Sequence, residues 1–319
     1  MNRSEIKKIG GSDIAAILGL SPWKSAHSLY LHLIGELPPQ EDSFIMKRGR
    51  ELEPDIARRF ALDHPEFEVV EHGIVEDPEY PFLIGSPDRL LLQGGASAAS
   101  GEVVSGLEVK TCDINQKGKW YNEAGEEDIP LPYYVQSLWY CGMLGLPDYH
   151  VAVDFLKPNS YTSCGIEYRH FEFSAEQYGE LRERAVAFWH RHVIPKIPPE
   201  ITEPDAATVE FYKHRPRIPE KCTFADDHLD TMIKAVMFRQ GNLKEAERFF
   251  ELEKTRLIAA MGDAEIIIDP HMQKKLVTYK GYETSSVDYK GLIAELGIGT
   301  ELVDKYRKIT QARRFVICK

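Results

Sequence analysis

Apolar residues at helical spacing open the chain. In residues 8–20, KIGGSDIAAILGL, a glycine turn precedes Ile14, Ile17 and Leu18 on one helical face, with Ser12 as the expected N-cap. Ser21-Pro22-Trp23 ends that helix, and residues 25–34 read as a second short one. Residues 43–64 repeat the pattern at Ile45, Leu52, Ile56 and Phe60, with Pro54 predicting a kink or break. The period then changes to two. Residues 67–75 and 81–92 predict strands joined by EDPEYP. A small, Gly/Ser-rich loop, GGASAASGEVVSG, leads into a third strand, GLEVKT, which completes a meander. Helical spacing returns at 132–145, with Pro132 at its start. Strands at 149–156 and 166–173 extend the sheet, and a helix at 174–193 starts from Ser174.

Pro195, Pro198 and Pro199 close this region, so the predicted boundary separates 1–200 from 201–319. In the second part, residues 225–261 predict a long helix with Leu229, Ile233, Val236, Met237, Leu243, Phe250, Leu252 and Leu257 near one stripe. Gly241 interrupts that pattern, which favours packing on its own chain over packing on another. Residues 264–280 read as a hairpin. The tail from 307 reads as a strand whose Arg307, Lys308, Arg313 and Arg314 either touch DNA or guard a sheet edge. The class is α/β (α+β): a mixed sheet flanked by helices, with a helix-plus-strand carboxy-terminal extension.

Composition narrows the function classes. At 319 residues, 43% hydrophobic and 28% charged, the chain can build one large core or two smaller ones. No run of eighteen apolar residues offers a membrane span, and the amino terminus is a poor signal peptide. Five scattered cysteines without a CxxC argue against disulfides, zinc and iron–sulfur clusters, and for a reducing cytoplasm. His150, His170, His190, His192 and His214 show no metal-binding spacing and read as surface or core residues. There is no P-loop and no GxSxG elbow. Net charge is −11, against a passive DNA-coating role. It is uneven: residues 1–200 carry 19 basic and 31 acidic side chains (−12), residues 201–319 carry 20 and 19 (+1).

The strand at 106–111 carries the candidate chemistry. Alternation sends Leu107 and Val109 to a core and Glu108 and Lys110 to the other face, about 7 Å apart at their Cα atoms. Asp88, at the Pro87 bend, falls on the neighbouring strand, about 4.8 Å away. Two carboxylates suit a hard divalent cation, and the lysine can orient a water or offset charge on a phosphate. Glu53 sits beside Pro54, and Gln136 calls for a polar partner. Lys47, Arg48 and Arg50 read either as a nucleic-acid contact or as a solvated helix face. Lys117, Lys119, Trp120 and Tyr121 suit single-strand stacking, or a mobile loop with one anchoring Trp. The amides beside Ser12 suit an anion, or a plain cap.

Residues 8–192 resemble the lambda-exonuclease / YqaJ-type family of viral recombination nucleases, within the PD-(D/E)xK superfamily. The matching stretches are IGGSDIAAILG, GRELEP, GSPDRL, GLEVK and YYVQ, in that order. The resemblance implies a restriction-endonuclease-like core and a Mg²⁺- or Mn²⁺-dependent DNA exonuclease of phage origin in a bacterial cytoplasm. It would resect one strand of duplex DNA from a free end, 5′ to 3′. A single-strand annealing protein and a ring trimer are implied partners. The alternatives are an endonuclease of the same fold and a nuclease-fold protein that binds without cutting. By the same resemblance Asp88 and Glu108 hold metal, with the Val109 backbone carbonyl, and Glu53 joins them directly or through water. Lys110 is the catalytic lysine and Gln136 the helix glutamine near the phosphate. Ser12 and Ser86 match a 5′-phosphate pocket. The arginine expected before the glycine turn has no secure counterpart among Arg3, Lys7 and Lys8.

Overall fold

A computed structural model describes residues 7–37, 42–93, 101–219 and 221–308. The chain divides into Met1–Arg215 and Pro216–Lys319.

The first unit is built on a five-stranded mixed sheet. Its strands are β1 (Phe67–Val70), β4 (Arg89–Gln93), β5 (Val103–Asp113), β6 (Asp148–Leu156) and β7 (Ser163–Glu172), in the order β1-β4-β5-β6-β7. Only β5 and β6 are parallel, because α4 (Leu131–Leu144) lies between them as a crossover. The alternation in GLEVKT is realised. Leu107 and Val109 pack with Leu91 and Ala152 against Ile56, Ala57 and Phe60 of α3 (Phe44–Asp63). The opposite face meets α4, where Tyr149 joins Val135, Leu138 and Trp139 in the main core. Gly106 belongs to this contact: a Cβ there would lie 2.1 Å from the Tyr149 ring. That core also takes in α1 (Gly11–Ile17), α2 (Ala26–Leu33) and α5 (Ala175–Phe188).

Several expectations are revised. Pro54 lies inside α3 without breaking it; apolar packing of the next turn, Ile56 to Phe60, outweighs the one lost backbone hydrogen bond. Gly10, not Ser12, caps α1: the Asp13 carboxylate accepts the Gly10 N–H at 3.0 Å, so the cap bond comes from inside the helix. The strand expected over 67–75 stops at Val70. Val75–Glu76 (β2) instead pairs with Ile84–Gly85 (β3), and 81–92 divides at Pro87, which has no N–H for a ladder. Ile9 forms a parallel bridge to Leu83, bringing the glycine turn beside β3. The helix expected through 193 passes into a π-type turn at Trp189–Val193. A helix, α6 (Ala206–His214), follows the prolines. It packs on α2: Asp205 accepts the Ser25 N–H at 2.9 Å, and His27 and Tyr212 share a 2.9 Å hydrogen bond.

The second unit contains α7 (Asp227–Met261), the hairpin of β8 (Ile266–Ile268) and β9 (Lys275–Thr278), then α8 (Tyr289–Glu295) and α9 (Thr300–Lys305). Gly241 does not interrupt α7, since one glycine costs a helix only about 1 kcal/mol. The expected packing of its stripe is not realised: Val236, Leu243, Phe250 and Leu257 are exposed. The tail strand, with Arg313 and Arg314, falls outside the described residues. No helix among the described residues is long and apolar enough to cross a membrane.

Candidate active site

β5 presents Glu108 and Lys110 to the α4 face. Asp88 lies one residue beyond the antiparallel pair Arg89–Leu107, which sets it opposite Glu108. Its Oδ2 accepts the Val109 N–H at 2.9 Å, so β5 itself orients the carboxylate. Gln136 reaches down from α4: its Nε2 donates to Glu108 Oε1 at 2.7 Å and to the Tyr140 hydroxyl at 3.3 Å. Lys110 donates to Glu108 Oε1 and, at 3.3 Å, to Gln136 Oε1. Glu108, Lys110 and Gln136 thus form one hydrogen-bonded group, and the Val109 N–H sets the Asp88 carboxylate beside it.

The two carboxylates are buried, while Lys110 and Gln136 are half-buried. Glu108 is 1% exposed and Asp88 9%. Burial alone would lower the Lys110 pKa, but the Glu108 and Asp88 charges outweigh it and raise the value. Lys110 is therefore an ammonium at neutral pH, a donor and positive charge rather than a base. The Tyr149 pKa is driven well above its usual value by burial first, then by Glu108 and Asp88. A local field that opposes a phenolate favours a cation. Two buried carboxylates supply hard oxygen ligands, so this donor set fits Mg²⁺ or Mn²⁺.

Glu53 stands on the other side of Asp88. Its Oε1 accepts from Arg89 Nη1 at 2.8 Å, and the same nitrogen donates to the Asp88 carbonyl. Ser86 is half-buried between β3 and Asp88; Ser12 is exposed in the first turn of α1. Arg50 is exposed and paired with Asp42. Arg48, from the same basic cluster, is buried and donates to the Ser160 carbonyl at 2.9 Å, so it is a structural clamp. Lys8 pairs with Glu76. Lys119 is exposed, at the end of a 3-10 turn (Ile114–Trp120).

Trp120 differs from the stacking role expected of it. It is 1% exposed, with its ring 5.5 Å from Tyr133 and 6.2 Å from Phe155, so no base can reach its face. An accessible ring nearby is Trp23, 63% exposed, whose ring stacks on that of Tyr133 with centroids 5.7 Å apart. Lys110 Nζ lies 5.1 Å from the Tyr133 ring centre. Trp23 was missed because Ser-Pro-Trp reads only as a helix end.

The histidines also need revision. Asp148, His150 and His170 place one ligand atom each within 4.8 Å of one another, a group that could hold a metal ion. Their spacing in sequence gives no sign of it, because the third member comes from cross-strand pairing of β6 with β7.

Residues 3–145 match the YqaJ-like viral recombinase domain. The protein YqaJ of Bacillus subtilis (strain 168) is 29% identical over 212 residues, 66% of this chain; the chain covers 60% of that curated relative's length. Two solved structures are similar at low identity. One is an alkaline exonuclease, LHK-Exo, from Laribacter hongkongensis, 18% identical with a TM-score of 0.44, covering 60% of this chain and 90% of that one. The other is a phage-related exonuclease from Haemophilus somnus 129PT, 13% identical with a TM-score of 0.43, covering 57% and 91%. The family read from the motifs is borne out over the matched residues.

Proposed function

Starting from a YqaJ-like viral recombinase domain over residues 3–145, we propose that the chain is a Mg²⁺- or Mn²⁺-dependent deoxyribonuclease that resects one strand of duplex DNA from an end. The observation that carries this reading is the hydrogen-bonded group of Glu108, Lys110 and Gln136, with the Asp88 carboxylate held beside it by the Val109 N–H. Asp88, Glu108 and the Val109 carbonyl would hold the metal, with Glu53 beside them. A bound metal lowers the pKa of a coordinated water and stabilises charge on phosphate oxygens.

The chain's own residues supply the rest. Lys110, protonated, donates to the attacking water or a phosphate oxygen and offsets charge gathering there. Gln136 fixes the Glu108 carboxylate and offers an amide toward the phosphate. Arg89 ties the Glu53 carboxylate to the Asp88 backbone carbonyl, and the Val109 N–H orients the Asp88 carboxylate. Trp23, exposed beside Tyr133, offers a stacking face for an unpaired base. Ser12 and Ser86 are proposed to receive a 5′ phosphate, because the Ile9–Leu83 bridge sets their two segments side by side. Digestion 5′ to 3′ would leave a single strand for an annealing protein, and a ring-shaped trimer would keep the enzyme on the duplex.

The test is digestion of linear, nicked and closed-circular DNA with Mg²⁺, with and without a 5′ phosphate. Loss of linear duplex with closed circles intact is expected. Cutting of closed circles would make the protein an endonuclease. DNA binding with no product from any substrate would leave a binding module on a nuclease fold.

A further inference from the structure

We infer that Asp148, His150 and His170 form a second metal site, on the sheet face opposite Glu108 and Lys110, that takes a borderline transition ion such as Zn²⁺ rather than Mg²⁺. The placement follows from strand geometry. Asp148 and His150 are two residues apart in β6 and so share a face. His150 pairs across the ladder with His170 of β7, which puts His170 on that face too. On the other side His150 pairs with Leu107 of β5, whose side chain packs toward α3. Glu108 and Lys110 alternate to the far face.

The ligand atoms are near coordination distance. Asp148 Oδ1 lies 3.7 Å from His170 Nε2, and all three ligand atoms lie within 4.8 Å of one another. A tetrahedral zinc with bonds of about 2.0–2.1 Å separates its ligands by roughly 3.4 Å, which small side-chain rotations reach. Asp148 Oδ1 is buried and accepts no hydrogen bond from a described residue. An orphaned carboxylate oxygen is costly unless something positive meets it.

The surroundings prepare His150 as a ligand. The Ser105 hydroxyl donates to the Asp148 carbonyl at 3.2 Å. The same hydroxyl oxygen lies 3.0 Å from His150 Nδ1, within hydrogen-bond distance, and so holds that edge of the ring. With Nδ1 engaged by Ser105, Nε2 is the ring nitrogen left for a metal, and a hydrogen bond to the other nitrogen orients a metal-bound histidine. His64, whose ring lies 6.3 Å from that of His150, has a buried Nε2 with no partner among the described residues. A water would complete the coordination. Two imidazoles and one carboxylate favour borderline ions, whereas the all-oxygen site across the sheet favours Mg²⁺ or Mn²⁺.

The test uses the full chain, stripped of metal and titrated with Zn²⁺ against a chromophoric chelator in excess Mg²⁺. The absorption of bound Co²⁺ serves as a second readout. Wild type should take one equivalent of Zn²⁺, and Co²⁺ should show a low-coordinate spectrum. His170→Gln, at an exposed position, should keep the fold by circular dichroism and lose that equivalent. Ser105→Ala should weaken it about tenfold. The Asp88→Asn, Glu108→Gln double variant should retain it. Three results overturn the inference: no equivalent bound by wild type, unchanged binding in His170→Gln, or loss in the double variant with retention in His170→Gln.

Discussion

Gly11→Ala should impair DNA cleavage through a clash with Tyr140, although Gly11 has no side chain to offer a metal or a phosphate. A Cβ at Gly11 would lie 2.5 Å from Tyr140 Cε1, 2.7 Å from Cζ and 3.0 Å from the hydroxyl oxygen, where ordinary contact begins at 3.4 Å. The ring must retreat by about 1 Å, but it is 4% exposed and packed in the core. Overpacking of this kind costs about 1–3 kcal/mol. The same ring accepts the Gln136 amide, which one turn earlier on α4 also holds Glu108. A displacement of about 1 Å passed to groups around a reacting centre costs about a hundredfold in rate. The assays are a thermal melt and single-turnover cleavage of linear duplex at saturating Mg²⁺. Tyr140→Leu supplies the control, since leucine lacks the clashing atoms: in that background Gly11→Ala should add little to either loss. Wild-type melting and turnover for Gly11→Ala, or an equal penalty in both backgrounds, would refute the contact chain from α1 through Tyr140 to Gln136.

Lys110→Arg should lose at least about a hundredfold in turnover with DNA affinity changed much less, because a planar fork cannot replace a compact ammonium between Glu108 and Gln136; free substitution would mean a solvated ion pair instead. Asp88→Asn and Glu108→Gln should each fold and bind DNA yet fail to cut, and chelation should do the same to wild type. Cleavage persisting in EDTA would sink the metal reading. Trp23→Ala should leave the melt unchanged and weaken binding to a single-stranded overhang by about 1–3 kcal/mol; unaltered affinity would remove Trp23 from the interface. Glu167 is held at a pKa of about 2: burial pushes it up, but Lys117, Arg169 and Tyr121 hydrogen bonds outweigh that. Its folded value lies below its ordinary one near 4.5, so its stabilisation is complete above pH 4.5 and is lost as pH falls toward 2. Glu167→Gln should flatten that limb of a plot of urea midpoint against pH, and parallel curves for the two proteins would contradict it.

What could be read from the sequence was what periodicity controls. The alternation around Glu108 and Lys110 named both the core face and the chemical face of β5, and helical spacing placed α3, α4 and α7 within a few residues. What could not be read depends on partners distant in the chain. Trp120 follows lysines read as nucleic-acid contacts and Trp23 only ends a helix, yet packing around Tyr133 buries the first and leaves the second exposed. Arg48 and Arg50 look alike in a basic run, yet one faces Ser160 and the other solvent. The Asp148, His150 and His170 group required knowing that β7 returns antiparallel beside β6, which no ligand spacing encodes.

The burial of Glu108 has an evolutionary consequence. An acid at 1% exposure, paired with a lysine, sits where an apolar side chain would meet the surrounding core at no desolvation cost. The carboxylate is therefore held in place against the fold's own preference for stability. In a lineage released from the need to cut DNA, substitutions at this position that strengthen folding become permitted. Such a lineage should drift toward a more stable and inactive descendant, with loss of the acid among its earliest changes.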